Sequence, residues 1–451
     1  MHNLSLKQRV LNSSIWTLGS NVISQLIRFV SNLIMTRLLA PEMFGLMALA
    51  GVIIFGIHML SDIGLRQVLI QNKRSDQSFI NTIWTMQIIR GLLVWFVSIL
   101  VAIVFSALDQ LHKLANDSVY SDPMFPFVVA AIGFSSVIAG FESTKMVLAQ
   151  RNLTVKLNMM IALGSQVLGM IVMLIWAYYS PTVWALVVGS TLATLSSTLA
   201  SFLIIPGEGN KFCWDEKVRS EVFHFGKWIF LSSIMGFLAS SSDRLMLGGL
   251  IDAKLLGYYA IAGLLVSAVN QLFGNLIHSV GLPAMSETYR EKPYALRSVF
   301  YKLRLPFDLA LLFSASFIFA TSNTIVEILY DDRYSEVGWI LQILAITLFE
   351  LRYNLANECY TAIGKPKLNS VLLFARIVIL YFFGVVIYKF YGFHGVVWVI
   401  ACSSLATIPL HFYFLRKFAL FDLKRELLVL PILVIGYLVG LLVNFLYVKL
   451  F

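Results

Sequence analysis

The sequence is a succession of apolar runs, each about 20 residues long, broken by short polar turns. About 20 apolar residues in a helix cross the ~30 Å hydrocarbon layer of a bilayer. Lipid offers no partner to an open sheet edge or an irregular backbone, so a chain written this way is helical throughout its spans. The reading is an all-α polytopic membrane protein. Spans fall near 13–36, 44–65, 80–106, 124–147, 158–179, 182–205, 226–250, 256–283, 301–322, 338–362, 368–390 and 394–415. A further run, "LLVLPILVIGYLVGLLVNFLYVKLF", fills 427–451 and predicts an additional C-terminal transmembrane helix. Composition agrees: 59% of residues are hydrophobic and 13% charged, against a charged share of ~25% in soluble domains.

The net charge is +10. In a soluble chain that excess would point to nucleic acid; here it marks cations retained on one face of a membrane. Alternate loops carry most of it: Lys7 and Arg9; Arg66, Lys73 and Arg74; Lys145, Arg151 and Lys156; Lys211, Lys217, Arg219 and Lys227. The same set continues with Arg290, Lys292, Arg297, Lys302 and Arg304, then Lys365 and Lys367, then Arg416, Lys417, Lys424 and Arg425. The opposite loops hold Arg37, Lys113, Arg244, Lys254, Arg333, Lys389 and Lys449. The bias predicts a cytoplasmic N-terminus. "MHNLSLKQRVLNSSIW" does not read as a cleavable signal, because its apolar run continues for a full span. Cys213, Cys359 and Cys402 lie far apart and predict neither a disulfide framework nor a metal site.

The second half slides onto the first by 212 residues. "EMFGLMALAG" (42–51) then falls on "KLLGYYAIAG" (254–263), and with a one-residue slip "AQRNLTVKLN" (149–158) falls on "AIGKPKLNSV" (362–371). Two six-helix lobes of parallel topology follow, arranged about a central cavity. The expected division is an N-terminal lobe at 1–210, a cytoplasmic linker at 211–223, a C-terminal lobe at 224–418 and the extra helix within 419–451. Duplicated lobes suit a transporter whose site is reached alternately from each side.

Polar residues inside the spans point the same way. Ser14, Thr17, Asn21, Gln25, Arg28 and Asn32 recur at spacings of three and four, which makes one stripe on a helix. A charge at a helix centre costs roughly 2.5–3.5 kcal/mol on insertion scales, so such a stripe faces the bundle interior or water. A polar helix–helix contact is the plain alternative. Further polar positions are His58, Asp62 and Arg66; Asn270 or Gln271, Asn275 and His278; and Glu350, Asn354, Asn357 and Glu358. Glu142 and Lys145 stand one turn apart, where an ion pair is the simple expectation. Asp308 follows Pro306 and is read as sitting at a kink. Guanidinium groups bind phosphate through paired, charge-assisted hydrogen bonds. The candidate substrate-binding residues are therefore Gln25, Arg28, Asn32, Arg90, Arg352 and Arg376, with Asp62, Glu142 and Glu358 as candidates for a coupling ion.

"RLLAPEMFG" (37–45), "SDIGL" (61–65), "LIQ" (69–71) and the basic turn "AIGKP" (362–366), set in a twelve-span layout, resemble the polysaccharide-transport (Wzx-like) oligosaccharide flippases. That family sits within the multidrug, oligosaccharidyl-lipid and polysaccharide exporter superfamily. The resemblance implies movement of an undecaprenyl-diphosphate-linked oligosaccharide from the cytoplasmic to the periplasmic leaflet of a bacterial inner membrane, for lipopolysaccharide O-antigen, capsule or exopolysaccharide. It implies alternating access with no cofactor, and a proton or sodium gradient as the candidate drive. Partners would be the lipid-linked oligosaccharide, inner-membrane lipids, and a polysaccharide polymerase with its export machinery; nucleic acid is not among them. The apparent thirteenth span departs from the twelve-helix pattern.

Three other readings stay open at this point. A multidrug or peptidoglycan-precursor exporter keeps the fold and changes the cargo. A non-transporting scaffold for glycan assembly has no need of a wet interior. A membrane enzyme is disfavoured by the short outside loops "QLHKLANDSVYSDP" and "YDDRYSEVG", and by the lack of any HExxH, nucleophile elbow or phosphate-cradling glycine loop.

Overall fold

A computed structural model describes residues 6–72, 74, 76–115 and 118–450, without the side chains of 6–12, 14, 15, 18, 224, 225, 227–229, 231, 232 and 239. Lys73 lies outside the described residues, and the side chains of Lys7, Arg9, Ser14 and Lys227 lie outside those described. Every regular element among the described residues is a helix, as the apolar runs predicted. The chain divides into two compact units, Met1–Leu256 and Gly257–Phe451.

The first unit is built from α1 (Leu6–Leu38), α2 (Pro41–Leu60), α3 (Leu65–Gln71), α4 (Gln77–Gln110), α5 (Phe125–Gly140), α6 (Lys145–Arg151), α7 (Lys156–Tyr179), α8 (Trp184–Leu203) and α9 (Glu216–Gly248). α2 begins where "RLLAPEMFG" places Pro41 at its first turn and Glu42 beside it, a proline and an acid both suited to a helix start. α4 packs along α5, α7 along α8, α1 along α7, and α2 along α9. Small residues permit the closest crossings: a β-carbon at Gly91 of α4 would stand 2.5 Å from the Ser136 carbonyl oxygen of α5.

α10 (Ala253–Glu291) opens at the boundary and runs into the second unit. It is followed by α11 (Leu296–Leu329), α12 (Val337–Ala345), α13 (Leu348–Leu351), α14 (Asn354–Ala362), α15 (Lys367–Leu405), α16 (Ile408–Lys417), α17 (Leu423–Leu428) and α18 (Pro431–Leu450). α15 is broken at Gly392, whose φ of 59° and ψ of −151° are open to glycine and strained for other residues. A β-carbon at Gly395 would stand 2.7 Å from Ile387 Cγ2. Eight residues of straight helix would separate those positions by about 12 Å, so the chain folds back on itself here. This break is the turn expected between the spans ending at 390 and starting at 394.

Among the described residues, eight helices are long and apolar enough to cross a membrane, and the bent pair α5–α6 makes a ninth. α1 and α9, at 33 residues each, have the length but are diluted by polar residues. The run at 423–450 passes, and α18 packs along α11. At 20 residues, α18 is about 30 Å long, one hydrocarbon thickness.

Candidate functional site: a cavity lined by Arg28 and Glu142 in the first unit

A cavity of about 580 Å³ lies within the first unit, inside the ~300–1,000 Å³ range of small-molecule sites. Ser24, Ile27, Arg28 and Ser31 face it from α1, at the i, i+3, i+4, i+7 spacing of one helical face. Ser165 and Gln166 come from α7, and Ser190, Thr194 and Ser197 from α8. The Ser24 hydroxyl donates to Gln166 Oε1 (2.7 Å), and Gln166 Nε2 donates back to the Ser24 carbonyl (3.0 Å), which fixes α1 against α7. Arg28 makes no hydrogen bond or ion pair with any described residue. The cavity therefore presents a guanidinium with its donors free and several hydroxyl oxygens able to accept, on a lining otherwise largely apolar, with Ile27, Met47, Met170, Met173 and Leu186 part of it.

Glu142 is the carboxylate on the same wall, and a helix break brings it there. α5 and α6 meet at a bend of 66°. Backbone freed by such a break needs partners inside a membrane, and side chains supply them. Gln87 Nε2 donates to the carbonyls of Ala139 (3.3 Å), Gly140 (3.1 Å) and Glu142 (3.1 Å), while Ser143 N donates to Ser201 Oγ (2.9 Å). The Glu142–Lys145 ion pair expected from their spacing is not the contact formed. Lys145 is buried and its ammonium donates to the carbonyls of Phe202 (3.3 Å) and Ile205 (3.1 Å), closing the C-terminal end of α8. Glu142 is left facing the cavity, with the Ser197 hydroxyl 3.4 Å from its Oε1.

The other predicted residues go elsewhere. Gln25 and Asn32 sit half-buried on α1, rotated off the face that lines the cavity. Arg90 reaches the C-terminal end of α2, donating to the His58 carbonyl (2.9 Å) and Ser61 Oγ (3.2 Å), with Asp62 at 3.9 Å. Asp62 Oδ1 also accepts from Gly64 N (3.0 Å), which accounts for "SDIGL" as a turn. His58 bonds to Ser136 Oγ (2.8 Å), the packing role that lone histidines usually have. Arg376 of α15 lies within electrostatic reach of Glu350 of α13. Glu358 of α14 meets His278 of α10 at 2.9 Å.

Arg352 belongs to a buried ionic cluster in the second unit. It is 1% exposed and donates from Nη2 to Asp308 Oδ2 (3.1 Å) and Glu426 Oε2 (3.0 Å). Arg304 joins from α11, bonding Glu426 through Nη1 (2.5 Å) and Nη2 (3.0 Å) and Asp308 through Nε (3.1 Å). Tyr301 and Tyr353 donate their hydroxyls to the two Glu426 oxygens, at 3.1 and 3.2 Å. Arg304, counted from sequence among the cytoplasmic loop cations, is thus corrected to a core residue: its side chain is 0% exposed. Asp308 balances charge beside Pro306 and does more than mark a kink. The i, i+4 spacing of Arg304 and Asp308 in one helix was the available signal; nothing local announced Glu426.

The fold is shared with solved membrane proteins. It superposes on the lipid II flippase MurJ in an inward closed conformation with a TM-score of 0.70, covering 97% of this chain and 98% of that one at 13% identity. It also superposes on an inward-facing multidrug resistance MATE family transporter of the MOP superfamily, with a TM-score of 0.61 over 87% of this chain and 94% of that one at 14% identity. The chain belongs to the polysaccharide biosynthesis protein family, which it matches over residues 34–338. A relative is the lipopolysaccharide biosynthesis protein WzxC of Escherichia coli (strain K12), 21% identical over 348 residues, 76% of this chain and 68% of that protein. The resemblance drawn from "RLLAPEMFG" and "SDIGL" is borne out.

Proposed function

We propose that the protein is a flippase that moves an undecaprenyl-diphosphate-linked oligosaccharide from the cytoplasmic to the periplasmic leaflet of a bacterial inner membrane, supplying a surface polysaccharide. Membership of the polysaccharide biosynthesis family supports the class of cargo. The observation that carries the site is Arg28: a guanidinium without a hydrogen-bond or ion-pair partner among the described residues, facing a largely apolar cavity that also holds several hydroxyls. Arg28 is exposed in the protein; inside a membrane such a cation is costly, and an anionic ligand offsets that cost. A diphosphate is well matched, because it accepts two parallel hydrogen bonds from one guanidinium. Asp62, Glu142 and Glu358 remain the candidates for a coupling proton or sodium ion, and such an ion biases two arrangements only by binding one of them better. The loop charges support an N-terminus on the cytoplasmic side. The functional division at 1–210, 211–223, 224–418 and 419–451 is part of the proposal, as is a polymerase downstream.

A cationic cargo is the second reading, and Glu142 on the cavity wall favours it. One reconstitution separates the two. Proteoliposomes carry a labelled undecaprenyl-diphosphate oligosaccharide in one leaflet, with a cationic dye as a parallel cargo, with and without a proton gradient. Protein-dependent movement of the glycolipid is the expected result. Movement of the dye alone overturns the flippase reading.

A further inference from the structure

α10 has three faces in the second unit. Its buried side runs through Ala262, Val266, Ile277 and Met285. Leu272, Leu276 and Val280 form an exposed apolar side suited to lipid. Between these arcs lie Gln271, Asn275 and His278, all exposed, at spacings of four and three that stack them on one line. The line covers about 10 Å of axis, near the middle of a 39-residue helix. His278 Nδ1 stands 2.9 Å from Glu358 Oε1. Gln271 and Asn275 make no side-chain hydrogen bond with any described residue.

Unpaired amides at the centre of a span are costly against hydrocarbon. This arc therefore meets water or a polar ligand, while its apolar neighbour meets lipid. The side chains also select what kind of ligand. Each amide sets a donor beside an acceptor, the pattern that adjacent sugar hydroxyls complement. Being neutral, the amides offer no charge to a phosphate. Glu358 adds acceptor capacity beyond its bond to His278.

We infer that Gln271, Asn275 and His278, with Glu358, form a sugar-contact face that hydrogen-bonds the glycan hydroxyls of the cargo. The inference rests on the flippase reading and assigns a separate part of the cargo to the second unit. Specificity among glycans is then set here, since a polar group left unpaired by the wrong sugar costs more than an apolar mismatch.

The test uses the full-length protein in nanodiscs. It is titrated with undecaprenyl diphosphate bearing hexose, N-acetylhexosamine or hexuronic acid disaccharides, and with undecaprenyl diphosphate lacking sugar. The wild type is expected to bind at least one glycosylated lipid more tightly than the bare lipid. Gln271→Leu and Asn275→Leu are each expected to weaken that glycosylated lipid about tenfold, with the bare lipid unchanged. Leu272→Ala, on the lipid side, is expected to change neither. Equal weakening of both lipids, no weakening of the glycosylated one, or a wild type that does not distinguish them overturns the sugar face. A wild type that binds neither lipid overturns the flippase reading instead, so the two failures are told apart.

Discussion

Arg304 and Glu426, 122 residues apart, meet as a two-pronged ion pair with Nη1–Oε1 at 2.5 Å and Nη2–Oε2 at 3.0 Å, the two side chains 0% and 3% exposed. The pair fastens α17 to α11, and so fixes where α18 starts its run along α11. Two guanidiniums and two carboxylates balance in the cluster, which lets it be buried at all.

Glu426→Gln removes one of the two negative charges facing Arg304 and Arg352. Breaking a buried pair from one side costs about 3–5 kcal/mol. Thermal unfolding of the purified protein should show a clear drop in midpoint and a fall in folded yield. Replacing all four charged residues by apolar ones of similar volume is expected to cost much less, because no charge is then left alone.

Arg28→Gln is expected to leave folded yield and thermal midpoint unchanged, since Arg28 makes no hydrogen bond or ion pair with any described residue. Glycolipid flipping in proteoliposomes should fall about 10- to 100-fold, the loss expected for a charge-assisted hydrogen bond to an anion. Arg28→Lys should retain part of the rate, because it keeps the charge and loses the fork. An unchanged rate in Arg28→Gln would remove Arg28 from the site.

Gly392→Ala forces a β-carbon onto φ 59°, ψ −151°. The strain is about 1–3 kcal/mol, read as a lowered midpoint in detergent. Gly236→Ala is the control, as nothing lies within 4 Å of the added carbon and its φ is ordinary.

Asp76 starts α4, accepting from Phe79 N (3.1 Å). The Arg74 guanidinium, paired with it at 2.9 Å, holds its carboxyl below the ordinary aspartate value. A depressed carboxylate contributes stability above its unfolded value and loses it as pH falls through the lower folded value. Hydrogen exchange in the first turn of α4 should therefore accelerate on acidification below the ordinary aspartate range. Asp76→Asn should weaken that pH dependence while keeping a cap.

The span expected at 338–362 is instead three short helices, Val337–Ala345, Leu348–Leu351 and Asn354–Ala362. The sequence by itself determined the all-helical class, most of the spans including the turn at 390–394, the helix at 427–451 and the family. Each depends on composition averaged over about 20 residues or on a local turn, and neither needs a partner elsewhere in the chain. It also picked out Arg28, because a cation in an apolar helix is conspicuous wherever the helix packs. Tertiary structure alone decided what faces each polar side chain. Periodicity put Gln25, Arg28 and Asn32 on one line, yet the cavity takes Ser24, Arg28 and Ser31, because α7 and α8 set the direction. Glu142 and Lys145 were adjacent in helical spacing until a 66° break turned them apart. Arg352 read like Arg28 in sequence, but a carboxylate 74 residues away neutralises it. Whether a membrane charge is buried and paired or left free for a ligand depends on chain packing across such distances, and no local pattern encodes that.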